Sequence, residues 1–395
     1  MANRGEKGPR ETDYDDAVLV HHDVIEDILA KLPVKTLIRF KSVSKQWCFS
    51  INNPNFTRQH LSNQRKKDAG FLFAYRGSND TTGFSKEIVL CSTAENYKIS
   101  RLIRFSNILP QDRYNMSHSC DGIICFYGQF NIHLINYSTL EIRTLPPGTL
   151  SNTPHYCYHT FPDPYFPGGY IHVGEWRSPR HQLGIGRDEV TKQYKIVKVF
   201  DPVVDYYWHA NSNCEIFTLD RNPNASWKNI GIVPYKISFT ANPVHVNGAI
   251  YWFTDEIYHG NKSEVIVMFD LHRENFQAIP HPSCCSDPTK PRNTMQLATL
   301  RGSLCLFERL IDQSELNVWI MKTCERSKVV TWENIPFLKF PRQIGPRFAI
   351  AEDKDEKFCW ACDWEEDQGG QMFAATTFTD SLVPLYGQRL QLIDI

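Results

Sequence analysis

The feature that most limits what this chain can fold into is a short pattern, a polar residue and a glycine turn followed by an apolar strand, that recurs along its length. Asp121-Gly122-Ile123-Ile124-Cys125-Phe126 resembles Asn247-Gly248-Ala249-Ile250-Tyr251-Trp252 and Arg301-Gly302-Ser303-Leu304-Cys305-Leu306, and more loosely Glu356-Lys357-Phe358-Cys359-Trp360. Further along a unit an aromatic residue stands three places before an aliphatic one, as in Trp227 and Ile230, Phe276 and Ile279, and Trp332 and Ile335, with Ile142 and Leu145 as a variant. With degenerate copies near Gly70 and at Leu183-Gly184-Ile185-Gly186, the spacing gives about six units of roughly 50 to 60 residues. One such unit cannot cover both of its apolar faces, so neighbours must do it. Four-stranded sheets repeated radially fit that length, which predicts a β-propeller; a β-sandwich pair or an irregular barrel is the alternative architecture.

The residues before the repeat follow a different period. Val24, Ile25, Ile28, Leu29 and Leu32 form one face of a helix that Pro33 ends, because proline lacks a backbone donor and biases the preceding residue away from helical angles. Leu37, Ile38, Phe40 and Val43 supply a second apolar face, Ser44 is placed to cap a third turn carrying Trp47 and Ile51, and Asn53-Pro54 opens a last piece holding Phe56 and Leu61. About 40 residues make a very small core, so surplus aliphatic side chains are expected to be buried against something else. That cover is either a partner or the larger domain, the helices then being an ordinary cap.

The ordered string from Asp23 to Trp47, through Ile28-Leu29, Leu32-Pro33-Val34-Lys35, Leu37, Arg39-Phe40-Lys41, Val43, Lys45 and Trp47, resembles the plant F-box. The resemblance implies docking onto a Skp-family adaptor and through it onto a cullin, with Ile28, Leu29, Leu32, Pro33, Val34, Leu37, Ile38, Phe40, Val43 and Trp47 building or contacting that interface. One departure is the start, where the family carries Leu-Pro and this chain has Val20-His21-His22. That loses a preset first helical turn and weakens the expected docking. The later region, at Cys120-Asp121-Gly122-Ile123-Ile124-Cys125, Leu183-Gly184-Ile185-Gly186, Tyr194-Lys195-Ile196-Val197-Lys198-Val199 and Val318-Trp319-Ile320-Met321, resembles the F-box-associated domain, including the S-locus F-box group that acts in self-incompatibility. The fold expected is therefore a small all-α F-box module followed by an all-β, kelch-like propeller of about six blades. The divisions are a disordered tail at 1–18, the F-box at 19–62, a linker at 63–69 and the β domain at 70–388. The function implied is target recognition within a Skp-cullin-F-box ubiquitin ligase, without catalysis by this chain.

Composition narrows the alternatives. A formal net charge of -1 offers no general field for nucleic acid or anionic lipid, and no apolar run is long enough to span a bilayer. A cytoplasmic or nuclear protein with its 12 cysteines reduced is expected. Gly184-Ile185-Gly186 lacks the helix that a dinucleotide motif needs, and Cys359-Trp360-Ala361-Cys362 lacks the second ligand pair of a structural zinc site. Adjacent His21-His22 diverge too far to share a metal. No cofactor is predicted, and the competing functions are a propeller enzyme with carboxylates or a metal on its axis and a scaffold working outside the ligase.

Two aromatic stretches interrupt the repeat. His155 to Tyr170 is read as a Pro-rich loop carrying Tyr156, Tyr158, Tyr165 and Phe166, and Asp205 to His209 carries Tyr207 and Trp208. Tyr, Trp and Phe bury large area at low rotamer cost, so these loops are expected to bind a target protein unless they fold inward to plug the domain.

Overall fold

The computed structural model describes residues 22–67, 70–77, 87–93, 99–106, 114–128, 131–148, 155–162, 170–177, 180–201, 212–239, 241–254, 266–286, 295–309, 315–323, 329–339, 348–352, 358–362 and 370–389. The expected disordered tail lies outside these residues.

Four helices open the chain: α1 (His22–Leu29), α2 (Val34–Phe40), α3 (Lys45–Ile51) and α4 (Pro54–Gln64). The regular part of α1 stops before Pro33 because the last turn tightens, with Lys31 N–H donating to Ile28 O at 3.1 Å and Leu32 N–H to Leu29 O at 3.0 Å. Ser44 caps α3 by accepting from Trp47 N–H at 3.1 Å, and Asn53 caps α4 ahead of Pro54. Leu29, Ala30, Val34, Leu37, Ile51 and Phe56 form the core of the module, and it is completed from outside by Leu382.

The stretch 63–69, expected to be a linker, begins inside α4. Its residues Arg65, Lys66 and Lys67 are exposed, but its first two turn inward, Asn63 donating to Ala30 O at 3.2 Å and Gln64 being buried, and before them in α4 the ring of His60 meets Leu32 O at 2.9 Å. These side chains satisfy the carbonyls that the end of α1 leaves without helical partners, so a polar run here serves as a seam.

Among the described residues the β region holds seven antiparallel sheets, six of which form the repeat. The first blade sets Gly370–Phe378 beside Gly70–Gly77, Glu87–Thr93 and Ile99–Ser106. The second holds Asn115–Met116, Ile123–Tyr127, Ile132–Asn136 and Glu141–Thr144, with Gln388–Arg389 on its outer edge. The third holds His181–Arg187, Tyr194–Phe200, Asn213–Leu219 and Lys228–Ile232; the fourth holds Val244–Val246, Ala249–Phe253, Ile266–Asp270 and Asn275–Ile279. The fifth holds Met295–Leu300, Ser303–Arg309, Glu315–Thr323 and Val330–Lys339, and the sixth has Phe348–Glu352 and Phe358–Cys362 as its described strands. Inner strands touch from each blade to the next and from the sixth back to the first, so the sheets form a six-bladed ring. The late strand Gly370–Phe378, paired to the early strand Gly70–Gly77, shuts it.

The repeated polar-Gly pair has a plain cause. Asp121-Gly122, Asn247-Gly248 and Arg301-Gly302 have φ of 50° and 77°, 47° and 79°, and 52° and 67°, the doubly positive pair of a type I′ hairpin turn. Glu356-Lys357 lies outside the described residues. Leu183-Gly184-Ile185-Gly186 is not a degenerate turn but the innermost strand of the third blade. A Cβ on Gly184 would stand 2.7 Å from Ile250 Cγ2, so glycine there permits close blade packing.

The spaced aromatics tie blades together. Trp227 Nε1–H donates to Pro146 O at 2.8 Å and Trp332 Nε1–H to Pro280 O at 2.7 Å, each joining the outer part of one blade to its predecessor. A second recurring device joins strands: Asn136, Asp188 and Asp270 each accept, through Oδ1, the backbone N–H groups two and three residues on. Four residues on, Leu140, Lys192 and Glu274 take φ of 60°, 61° and 55°.

The stretch after His155 is not a loop throughout. His155–Pro162 pairs with Tyr170–Arg177 in a two-stranded sheet, Tyr156 opposite Trp176 and Tyr158 opposite Gly174. Its aromatic and β-branched residues favour extended backbone, and Pro162 is tolerated because it ends a strand in a sheet that consists only of edges.

Candidate functional site

The helical module divides the ten residues assigned to adaptor docking into three sets. Leu29, Val34 and Leu37 are buried and build the module's interior. Leu32, Ile38, Phe40 and Trp47 are half-buried against it, with the Phe40 and Trp47 rings 5.0 Å apart. Pro33, Ile28 and Val43 face solvent, Ile28 being 55% and Val43 63% exposed.

Two further apolar side chains are exposed in the same module, Val24 at 49% and Phe49 at 76%. Phe49 carries a signal in the sequence: Trp47 and Ile51 are four apart and face inward on α3, so the residue midway points about 200° around the helix and away. Val24 and Ile28 are likewise four apart on α1, one stripe over from Ile25 and Leu29. Four of the eight large apolar side chains exposed among the described residues thus belong to this small module, a density that marks an interface.

The other side of the module is engaged. Leu61 of α4 is buried among Ile123, Cys125, Leu134, Ile185 and Phe217 of the second and third blades. Beside it Arg65 donates to Asp121 Oδ1 through Nε at 3.0 Å and Nη2 at 2.5 Å, and Tyr194 Oη–H donates to Asp121 Oδ2 at 2.8 Å. Burial pushes the Tyr194 phenol and the Cys120 thiol well up. His245 is held below its ordinary value by desolvation; its Nε2 accepts from Arg187 N–H at 3.2 Å and its Nδ1 lies 3.5 Å from Cys120 Sγ.

Along the ring axis His118, Ser119, His245, Gln296, Thr299 and Thr376 line a cavity of about 30 Å³, room for roughly one water. Desolvation lowers the His118 imidazole to about 4. Among the described residues no group of three or more His, Cys, Asp or Glu is arranged to hold a metal. The charged groups that do cluster join two blades: Lys195 lies 2.9 Å from Glu274 and 3.5 Å from Asp188. Against the opposing effect of burial, bonds from Val190 and Thr191 keep Asp188 below the usual carboxylate range, and bonds from Lys228 and Lys195 do the same for Glu274.

The chain alternates direction strand by strand, so connections fall on two faces. Turns at Asp121, Asp188 and Asp220 meet α4 or lie beside it. Leu145 and Arg180, and Asp201 and Ser212, which flank the two insertions, stand on the opposite face. Their roots are knotted: Arg180 pairs with Asp201 at 2.8 Å, Asp201 N–H donates to Arg180 O at 3.0 Å, and Ser212 Oγ–H donates to Asp201 Oδ1 at 2.9 Å. Tyr156 and Tyr158 belong to the strand His155–Pro162, whereas Tyr165, Phe166, Tyr207 and Trp208 lie outside the described residues.

Comparison with known proteins bears on both parts. The F-box domain family matches residues 21–59 and the F-box associated beta propeller domain family matches residues 83–380. A putative F-box/kelch-repeat protein of Arabidopsis thaliana is 27% identical, over 86% of this chain and 76% of its own length. A putative F-box protein of the same plant is 28% identical, over 80% of this chain and 66% of its own length. The solved structure of apo AztD from Citrobacter koseri is 11% identical and covers 79% of this chain and 98% of its own, but at a TM-score of 0.24 it carries no argument.

Proposed function

The chain belongs to the plant F-box proteins that carry an F-box associated beta propeller domain, and from that premise we propose that it is the target-recognising subunit of a Skp-cullin-F-box ubiquitin ligase. An F-box implies a Skp-type adaptor as partner, and F-box proteins act in general as non-catalytic adaptors. In this reading the helical module holds the adaptor and the propeller holds a protein destined for ubiquitination and degradation. The observation that carries it is the division of the module's surface. Its interior is complete once Leu382 is in place and its α4 side is covered by the propeller, yet Val24, Ile28, Val43 and Phe49 still face water. Burying each large side chain contributes roughly 1.5 to 3 kcal/mol, enough for four to anchor a partner.

The target is assigned to the face opposite α4, where the two aromatic insertions are rooted on Arg180, Asp201 and Ser212. Tyr156, Tyr158, Tyr165, Phe166, Tyr207 and Trp208 are the residues proposed to contact it. That face is turned away from the module, so the insertions do not compete with the adaptor for surface. No helix of the described residues is long and apolar enough to cross a membrane, and the proposed site of action is cytoplasm or nucleus.

Co-expression with a Skp-family adaptor tests the first half. The wild-type chain is expected to co-purify with it, and Val43→Asp with Phe49→Asp to abolish co-purification while the thermal melt of the propeller is unchanged. Retention of the adaptor by the double variant refutes the reading. Proximity labelling from the wild-type chain, compared with alanine replacements at Tyr158, Tyr165, Tyr207 and Trp208, tests the second half: a labelled set indifferent to those changes removes the insertions from target binding.

A further inference from the structure

Between α4 and the third blade lies a groove of about 450 Å³. Its buried lining is Leu61, Leu219 and Val383 with Thr57, and its more exposed lining carries four basic side chains. Arg58 comes from α4, while Arg187, Lys192 and Arg221 come from the third blade or its turns, against one carboxylate, Asp220. Glu189 engages Lys192 at 2.9 Å. Among the described residues the three guanidiniums have no carboxylate partner: Arg58 donates to the Asn55 amide oxygen and Arg221 lies 5.3 Å over the Tyr386 ring. Basic side chains around an apolar floor complement an anionic occupant with an aliphatic side chain.

We propose that this groove docks a short acidic peptide belonging to the protein that the propeller captures. The site rests on the reading of the β domain as the target-binding part. Carboxylates of the peptide pair with Arg58, Arg187 and Arg221, where the planar guanidinium fork suits a carboxylate, and one aliphatic side chain packs on Leu61 and Val383. Arginine, rather than lysine, supplies all three unpaired charges, and the apolar floor suits a peptide better than a nucleic-acid backbone. Because the lips belong to different parts of the chain, an occupant also ties α4 to the third blade.

The experiment uses the full chain co-purified with its adaptor and a fluorescein-labelled peptide of Glu and Asp interrupted by Leu, read by anisotropy, with a Lys-for-Glu counterpart as the reversed probe. Saturable binding is expected for the acidic peptide alone. Arg221→Glu and Arg58→Glu are each expected to weaken it at least about tenfold, as is Arg187→Gln, the milder change for a half-buried side chain. Lys322→Glu, on the fifth blade, should leave it unchanged. Absence of saturable binding, equal weakening by Lys322→Glu, or tighter binding of a single-stranded oligonucleotide through the same arginines overturns the proposal. Target capture measured in parallel separates the two readings: capture retained with no peptide binding refutes the groove alone, whereas peptide binding by a chain that captures no target refutes the parent reading.

Discussion

Asp121 holds three things at once. It sits at φ 50° in the type I′ turn of the second blade, accepts from Arg65 of the helical module and accepts from Tyr194 of the third blade. Asparagine keeps the left-handed preference but loses the charge, so Asp121→Asn is expected to cost about 1 kcal/mol, limited by the half-exposed, screened Arg65. Asp121→Ala adds backbone strain and should cost about 2 kcal/mol; urea unfolding of the adaptor-bound chain measures both. A second expectation concerns His118, whose imidazole is lowered from 6.5 to about 4 by desolvation. Between those values the unfolded chain takes up a proton that the folded chain refuses, so stability is full above about pH 7 and falls as pH drops toward 4. His245 and His60, also lowered by burial, add in the same direction. Below the ordinary carboxylate range Asp188 and Glu274 add their own loss, because depressed carboxylates stabilise only while ionised. His118→Gln should flatten the urea midpoint between pH 7 and 5, and an unchanged slope would refute the assignment. In the sequence Asp121 is legible as a turn residue, since a polar-Gly pair before an apolar run has one good reading. Its link to Arg65 is not, because 56 residues separate the two and no period connects them.

At the scale of the element, α3 shows why pattern reading finds a helix more easily than its partner surface. Trp47 and Ile51 reveal the inward side, and Phe49 becomes informative only once that side is known to be filled. The contrast yields a test: Leu37→Asp, at a buried position, should unfold the module and lose the adaptor, whereas Phe49→Asp should lose the adaptor with the helices intact by circular dichroism. The outer strands behave alike. Trp227 and Trp332 stand out in the sequence by spacing, but the carbonyls they bind, Pro146 and Pro280, belong to the preceding blades. Trp227→Phe keeps most of the packing against Phe217 and drops the donor, an expected loss of about 1 kcal/mol in urea unfolding. The hairpin after His155 misleads in the opposite sense, since its prolines speak against a central strand and say nothing against an isolated pair of edges.

For the whole molecule, the recurrence of turns and strands carries the ring, but not the way it is shut. Nothing in Gly370–Phe378 announces that its partner is Gly70–Gly77, because pairing across such a separation is decided by which edges remain open. The segment after it is pinned to the second blade: Asn136 Nδ2 donates to Ser381 O at 3.2 Å and Val383 O at 2.8 Å, and Leu385 N–H donates to Glu141 at 2.7 Å. That anchorage delivers Leu382 into the helical core. A fragment of residues 22–67 alone is therefore expected to be largely unfolded by circular dichroism, and Leu382→Asp in the full chain to disorder the helices more than the blades.

Protein synthesis runs in one direction, and this geometry makes that direction matter. The helices leave the ribosome before the propeller does, yet the leucine that finishes their interior is made only after the strand Gly370–Phe378. A nascent polypeptide, or one cut short by a premature stop codon, carries every helical residue and still presents an unfinished surface. Under the proposed function, adaptor docking is expected to wait until translation has passed Leu382, so that half-made copies do not occupy the shared adaptor pool.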